Sequence, residues 1–246
     1  MISKQQQKYV QSLHNKKYRT EYSRFLVEGE KGILEIINSD FEIEYIFCSE
    51  NLKLKIDSVR KNIKVNICKE EEISTISTFK NNNTGVALVH QKANSHFDLN
   101  LKDNVVLILD NIKDPGNLGT IIRLADWYGI NNIYCSQDTV EFYNPKVISS
   151  TMGSFTRVNV HYIDLSSTLK KLKMPILGAF LGGENIQKYK SESQIALIIG
   201  SESHGISPEI EQFVTKKITI PRIGKAESLN AAIATGIILD NIFREV

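Results

Sequence analysis

VVLILD (105–110), followed at once by NIKDPGNLGTIIR (111–123), is the stretch on which the fold turns. The first six residues are a continuous apolar, β-branched run that ends in an acid, the pattern of a strand buried on both faces of a parallel sheet. Then comes a turn dense in Asn, Asp, Pro and Gly, and after it a helix. Leu118, Ile121, Ile122 and Ala125 recur at i, i+3, i+4 and i+7 and make an apolar stripe for the core. Asn117 is placed to cap this helix and Gly129 to end it. At ~3.6 residues per turn, Arg123 falls about 140° round from Leu118, outside the stripe.

The same coupling of an apolar run to a polar turn returns twice downstream, in IIGSESHGIS (198–207) and ITIPRIGKAESLNAA (218–232). Further apolar runs, NIYCS (132–136), RVNVHY (157–162), PILGAF (175–180), QIALIIG (194–200) and KITIP (217–221), supply the other strands of a mostly parallel sheet. Helices are expected over 117–128, 144–152, 165–173, 208–213 and 230–244. Upstream, FLVEG (25–29), EIEYIFCS (42–49), NIKVNIC (62–68) and GVALVH (85–90) read as short strands, with helices around 30–38, 51–61 and 70–77. The polar stretch QKANSHFDLNLKDN (91–104) breaks the alternation and is the linker candidate, dividing the chain into domains 1–97 and 98–246. A fragment beginning near residue 98 is expected to fold by itself.

Composition narrows the partners. The chain has 246 residues, 41% hydrophobic and 24% charged, with a net charge of +2, so no whole-protein field announces a polyanion. The charge is concentrated locally. Residues 1–24 hold Lys4, Lys8, Lys16, Lys17, Arg19 and Arg24 against the single acid Glu21, with Tyr9, Tyr18 and Tyr22 interleaved. A solvated amphipathic helix is the plain alternative. Cys48, Cys68 and Cys135 are isolated, with no His at metal-ligand spacing, so neither a metal site nor a disulfide framework is suggested. The N-terminus lacks an apolar signal region and no run approaches the ~18–20 apolar residues of a membrane helix. A cytoplasmic, reducing compartment is expected.

The three turn segments together, in this order, resemble the three motifs of the SpoU-type (TrmH-like) RNA ribose 2′-O-methyltransferases of the SPOUT class. Asn117 and Arg123 match the first motif, Glu202 between Gly200 and Gly205 the second, and Ser228-Leu229-Asn230 the third. The resemblance implies a catalytic set of Arg123, Asn117, Glu202, Ser228 and Asn230. It also implies S-adenosyl-L-methionine as cofactor, cradled around Gly200, Gly205, Ile220 and Leu229, with Leu177, Gly178 and Phe180 lining the same pocket. His204 is not required by the family pattern and is read as a variable loop residue. Arg123 is the family's candidate for activating the ribose hydroxyl. A guanidinium with a pKa above about 12 is a poor base, so proton abstraction stays open beside phosphate holding and alkoxide stabilisation.

Residues 16–35 (KKYRTEYSRFLVEGEKGILE) resemble the start of the small α/β RNA-binding domain, similar to certain ribosomal proteins, carried by many such enzymes. Lys4, Lys8, Lys16, Lys17 and Arg19 would then bind phosphates while Tyr18 stacks on unpaired bases. Sequence rules alone give an unknotted α/β domain. The resemblance implies instead that the segment from about 194 to 246 threads a loop to make a deep trefoil knot, and that the enzyme is a homodimer with its site at the interface. The expected substrate is RNA, ribosomal RNA before transfer RNA. A non-catalytic RNA-binding homologue is the other live class, disfavoured by retention of the five motif residues. A dinucleotide oxidoreductase lacks its G-x-G-x-x-G, and Gly224-Lys225-Ala226 lacks the Ser or Thr of a phosphate loop.

Overall fold

Two sets of strands build two sheets in the computed structural model, which describes residues 2–60, 63–92, 104–190 and 194–244. The expected boundary between 97 and 98 lies outside the described residues. The chain divides into a unit of residues 1–93 with 143–156, and a second unit of 94–142 with 157–246. Residues 143–156, assigned to the C-terminal domain from sequence, therefore group with the N-terminal unit.

The N-terminal unit runs α1 (Lys4–Ser12), α2 (Lys16–Tyr22), β1 (Arg24–Glu28), α3 (Glu30–Ile36), β2 (Ile43–Cys48), α4 (Glu50–Val59), β3 (Asn66–Ile67), α5 (Glu70–Ile76) and β4 (Gly85–His90). The sheet order is β1-β4-β2-β3, with β4 antiparallel to β1 and β2, and β3 parallel to β2. Ser3 and Gln6 form a capping box on α1, and the Asn15 side chain caps α2. Val10 and Leu13 of the α1 region pack into a core with Leu26, Phe47, Ile73 and Leu88. A separate aromatic cluster joins Phe25 to Tyr143 at 4.5 Å and to Phe155 at 6.2 Å between ring centroids, with Phe41 5.9 Å from Phe155. Residues 143–156 thus complete the core of this unit.

The second unit holds β5 (Val105–Leu109), α6 (Pro115–Trp127) and β6 (Asn132–Cys135); α7 (Pro145–Ser150) interrupts it with the segment just described. It resumes with β7 (Asn159–Tyr162), α8 (Leu165–Leu169), β8 (Ile176–Asn185), β9 (Ile195–Ile199), α9 (Pro208–Glu211), β10 (Lys216–Thr219) and α10 (Ala231–Phe243). The six strands form a fully parallel sheet in the order β10-β8-β9-β5-β6-β7. Every residue of β5 and β9 is buried, as the unbroken apolar runs demand. The fold is thus α/β with a parallel sheet, as the strand pattern indicated.

Two local features differ from what the sequence predicts. Asp114, not Asn117, caps α6: its Oδ1 accepts the Asn117 N–H at 2.9 Å, and Pro115 occupies the first helical position. Gly129 ends the helix as expected, at φ +71°. β8 is ten residues long, and its pairing jumps from Gly178 to Glu184 against the consecutive Lys217 and Ile218 of β10. Residues 179–183 therefore leave the ladder beside the C-terminal ends of the central strands.

α6 and α10 lie side by side in the same direction. Their starts are joined through Asn117 and Asn230, and at their ends the Tyr128 and Phe243 rings stack at 5.1 Å. Gly236 faces Leu124 across this contact, and a Cβ there would stand 3.4 Å from a Leu124 methyl, an ordinary packing distance. Among the described residues no helix is long and apolar enough to cross a membrane.

Candidate functional site

The second and third turn segments line a crevice at the carboxyl ends of β8, β9 and β10, where an open-sheet α/β fold offers its ligand site, and the first joins them through the hydrogen bonds of Asn117. There a cleft of about 850 Å³ is walled by the apolar side chains of Ile199, Ile206, Ile218, Ile220 and Ile238 and by the main chain of the turns.

The turn after β9 is shaped by its glycines. Its ends are tied by Ser201 N–H to Gly205 O at 3.0 Å and Gly205 N–H to Ser201 O at 2.9 Å. A Cβ on Gly200 would stand 2.2 Å from the Gly205 carbonyl carbon, so the loop can fold back only over a glycine. Gly205 has φ +68°, a backbone conformation that side chains resist, with nothing within 4 Å of its missing Cβ. Asp110, 2% exposed at the end of β5, fastens this loop by accepting the Ser207 N–H at 2.7 Å. Sequence reading treats Asp110 only as the end of a strand. An acid closing a fully apolar run is the signal that finds it, because a buried carboxylate needs a donor.

A chain of side-chain hydrogen bonds then crosses the three motifs. The Asn230 Oδ1 caps α10 by accepting the N–H of Ala232 at 2.9 Å and of Ile233 at 3.2 Å. Its amide therefore faces outward and donates to Asn117 Oδ1 at 2.7 Å. That contact orients the Asn117 amide, whose Nδ2 donates to Glu202 Oε1. Since Asp114 relieves Asn117 of capping, the Asn117 side chain is wholly available for this link. Each amide has one direction only, so the carboxylate lies at the acceptor end of a polarised relay that starts on backbone N–H groups of α10.

Of the residues expected to hold the cofactor, Phe180, Gly200, Gly205, Ile220 and Leu229 line the cleft, and Glu202 and Ser228 line it too. Leu177 and Gly178 do not. Leu177 is fully buried, and Gly178 faces Phe180, Val214 and Ile206, because both lie in β8 where it is paired on either side. Sequence reading misses Lys217 and Glu211. The Lys217 Nζ lies 2.5 Å from Glu211 Oε1 and 4.7 Å over the Phe180 ring on the cleft wall. Arg123 projects from α6 to solvent, away from the lining, and makes no hydrogen bond or ion pair among the described residues.

In the N-terminal unit Lys4, Lys8, Lys16 and Lys17 are exposed, and Tyr18 is half-buried. Arg19 corrects its expected role in phosphate binding. It is 2% exposed and donates from Nη1 to the carbonyls of Leu13 at 2.8 Å and His14 at 2.9 Å. A cation at the end of α1, satisfied by the last carbonyls, is a structural staple.

Comparison with known proteins agrees with this geometry. Residues 104–240 match the SpoU rRNA Methylase family, and residues 4–87 match the MRM3-like substrate binding domain. The chain is 29% identical to the 23S rRNA (guanosine(2553)-2′-O)-methyltransferase of Bacillus subtilis, covering 92% of this chain and 91% of that protein. It is 33% identical to the 23S rRNA (guanosine-2′-O-)-methyltransferase of Blochmanniella floridana, covering 89% and 94%. The solved structure of an AdoMet-bound rRNA methyltransferase from Sinorhizobium meliloti superposes with a TM-score of 0.86 at 26% identity, covering 100% of this chain and 97% of that one. Strand order, motif turns and full-length similarity lead to one assignment: this chain belongs to the SpoU rRNA methylase family.

Proposed function

We propose that this protein transfers a methyl group from S-adenosyl-L-methionine to a ribose 2′-hydroxyl of RNA, with ribosomal RNA as the substrate class. The observation that carries the reading is the relay Asn230–Asn117–Glu202, which joins three motif turns beside a cleft of about 850 Å³. The cleft has the size and the apolar walls of a small-molecule pocket. Its lining suits an adenosyl group: isoleucine side chains for the ring faces and strand-end main chain for the polar edge. S-adenosylmethionine supplies an electrophilic methyl group. The residues of this chain do the rest by orientation. Glu202, held by Asn117, and Ser228 present an acceptor and a hydroxyl at the cleft. Arg123 holds the target phosphate and stabilises the alkoxide as it develops.

We further read the enzyme as a cytoplasmic homodimer with its site at the interface. In support, Arg123 has no partner in its own chain among the described residues, and Trp127 of α6 is 84% exposed, one turn beyond it. Ile233 on the adjacent α10 is exposed as well. The trefoil knot belongs to the same reading: β10 forms the sheet edge while α10 returns to α6. Residues 1–97 serve as the RNA-binding module, in keeping with the substrate-binding family match over 4–87.

The test is to incubate the purified protein with labelled S-adenosylmethionine and unmodified ribosomal or transfer RNA, then map 2′-O-methyl positions. A new 2′-O-methyl group at one position of ribosomal RNA is expected. Transfer to tRNA alone would move the substrate. RNA binding without methyl transfer would make the chain a non-catalytic homologue.

A further inference from the structure

Four tyrosines from three elements of the N-terminal unit converge on one patch of its surface. Tyr9 of α1 meets Tyr22 of α2 edge-on at 5.4 Å, and Tyr18 stacks on Tyr22 at 5.9 Å with 22° between the rings. Tyr45, on β2, stacks on Phe47 at 6.0 Å. Phe47, on which Tyr45 stacks, belongs to the core cluster that Tyr9 and Tyr18 pack against, so Tyr45 lies on the same face; the Tyr9 phenol is pushed up, by burial first. Packing accounts for only part of the cluster. Tyr9 and Tyr18 lean on the core beneath α1 and α2, whereas Tyr22 and Tyr45 remain 37% and 39% exposed.

The charges around the rings are uneven. Arg24 and Glu44 neutralise each other at 2.5 Å, and His90 lies 3.6 Å from the carboxylates of Glu42 and Glu44. The cations of the two helices are not neutralised: Lys4, Lys8, Lys16 and Lys17 are exposed and make no ion pair among the described residues, with the Lys17 ammonium 5.6 Å from the Tyr18 ring centre. Exposed tyrosines on a unit whose first two helices carry unpaired ammonium groups match a polyanion that carries flat bases. An acidic peptide would need the cations but not the rings, and an apolar peptide the reverse.

We propose that Tyr22 and Tyr45 form a stacking platform for an unpaired base of the RNA substrate, with the lysines of α1 and α2 taking the adjoining phosphates. This rests on the RNA-methyltransferase reading and adds a structural demand to it: the substrate must present a single-stranded stretch to the N-terminal unit. Stacking tolerates any base, so the platform selects for strandedness and not for sequence.

The test uses the full chain and two probes, a short unstructured RNA oligonucleotide and a perfect RNA duplex of equal length, titrated by fluorescence anisotropy at several salt concentrations. Tyr22→Ala and Tyr45→Ala should each weaken binding of the single strand about tenfold without changing its salt slope, and leave the duplex unaffected. Tyr45→Phe, which keeps the ring, should bind as the parent does. S-adenosylmethionine binding should be the same in every variant, and circular dichroism melts of each variant beside the parent check folding. Single-strand binding unchanged in both alanine variants would overturn the platform while leaving the methyltransferase reading intact. Equal losses on single strand and duplex would overturn it too. If the parent bound neither probe and methylated no RNA, the broader reading would fail instead. Binding of peptides but not RNA by the parent would make the patch a protein-docking surface and end the proposal.

Discussion

Asn230 donates its side-chain amide to Asn117 Oδ1 across 2.7 Å, although 113 residues separate the two. The direction is forced from behind, because Asn230 Oδ1 is already committed to the N–H groups of Ala232 and Ile233. This gives Asn230 two separable duties, a helix cap and a link.

Asn230→Asp separates them. Aspartate caps a helix as well as asparagine but has no amide to donate. The variant should melt near the parent temperature and lose most methyl transfer. Asn230→Ala should lose the same activity and also about 1 kcal/mol of stability. Thermal melts beside transfer rates decide this; an aspartate variant working at the parental rate would leave the link without a role.

Asn117 and Asp114 should trade effects in the opposite sense. Asn117→Ala leaves the α6 cap intact, so the protein should remain as stable while transfer falls about a hundredfold through misplacement of Glu202. Asp114→Ala should cost about 1 kcal/mol and keep much of its activity. Circular dichroism melts and single-turnover rates would expose a reversal of this pattern.

Arg123 is exposed and unpartnered among the described residues, so its replacement should not disturb folding. Arg123→Ala and Arg123→Lys should both bind S-adenosylmethionine normally by calorimetry and both lose most transfer, since an ammonium does not replace a planar fork. Full activity in the lysine variant would mean that charge alone suffices.

The two glycines of the second motif should respond differently to alanine. At Gly200 a methyl group meets the Gly205 backbone at 2.2 Å, so Gly200→Ala should disrupt the loop and abolish cofactor binding. That loss reflects the turn itself, not contact between a side chain and the cofactor. Gly205→Ala meets open space and only a φ penalty of roughly 1–2 kcal/mol, and should retain weakened binding. Calorimetric titration of both variants is the measurement.

Arg19 should behave as a staple and the neighbouring lysines as phosphate ligands. Arg19→Ala leaves the buried Leu13 carbonyl and the part-buried His14 carbonyl without this donor and should destabilise by about 1–3 kcal/mol. Lys16→Ala with Lys17→Ala should leave stability unchanged and reduce the salt slope of RNA binding by roughly 0.7–0.9 for each phosphate no longer held. Equal slopes in the parent and the double variant would remove the lysines from the RNA surface.

The motif turns are legible because each is a change of grammar, from a two-face apolar run to Gly, Asn and Ser. Asp114 is passed over in favour of Asn117, although Pro115 marks the residue before it as the cap. Leu177 and Gly178 are misread because apolarity announces a strand but not where its pairing ends. Arg19 stands in a basic run among exposed lysines, and only the return of the α1 carbonyls distinguishes it. Tyr45 is invisible as a surface residue, since a strand of isoleucines and aromatics does not say which face α1 and α2 will cover.

The segment 143–156 has no sequence signal at all, because its helical pattern passes for an ordinary crossover between strands. Its position has a consequence for how the protein is made. Residues 1–92 emerge from the ribosome with Phe25 and Phe41 still lacking Tyr143 and Phe155. The roughly 60 residues that follow take about 3–12 s to synthesise, so for seconds the nascent N-terminal unit carries an open aromatic face. That face is a ready target for chaperones or for a neighbouring nascent chain, and a fragment cut near residue 98 would leave the complementary rings, Tyr143 and Phe155, without their partners for good.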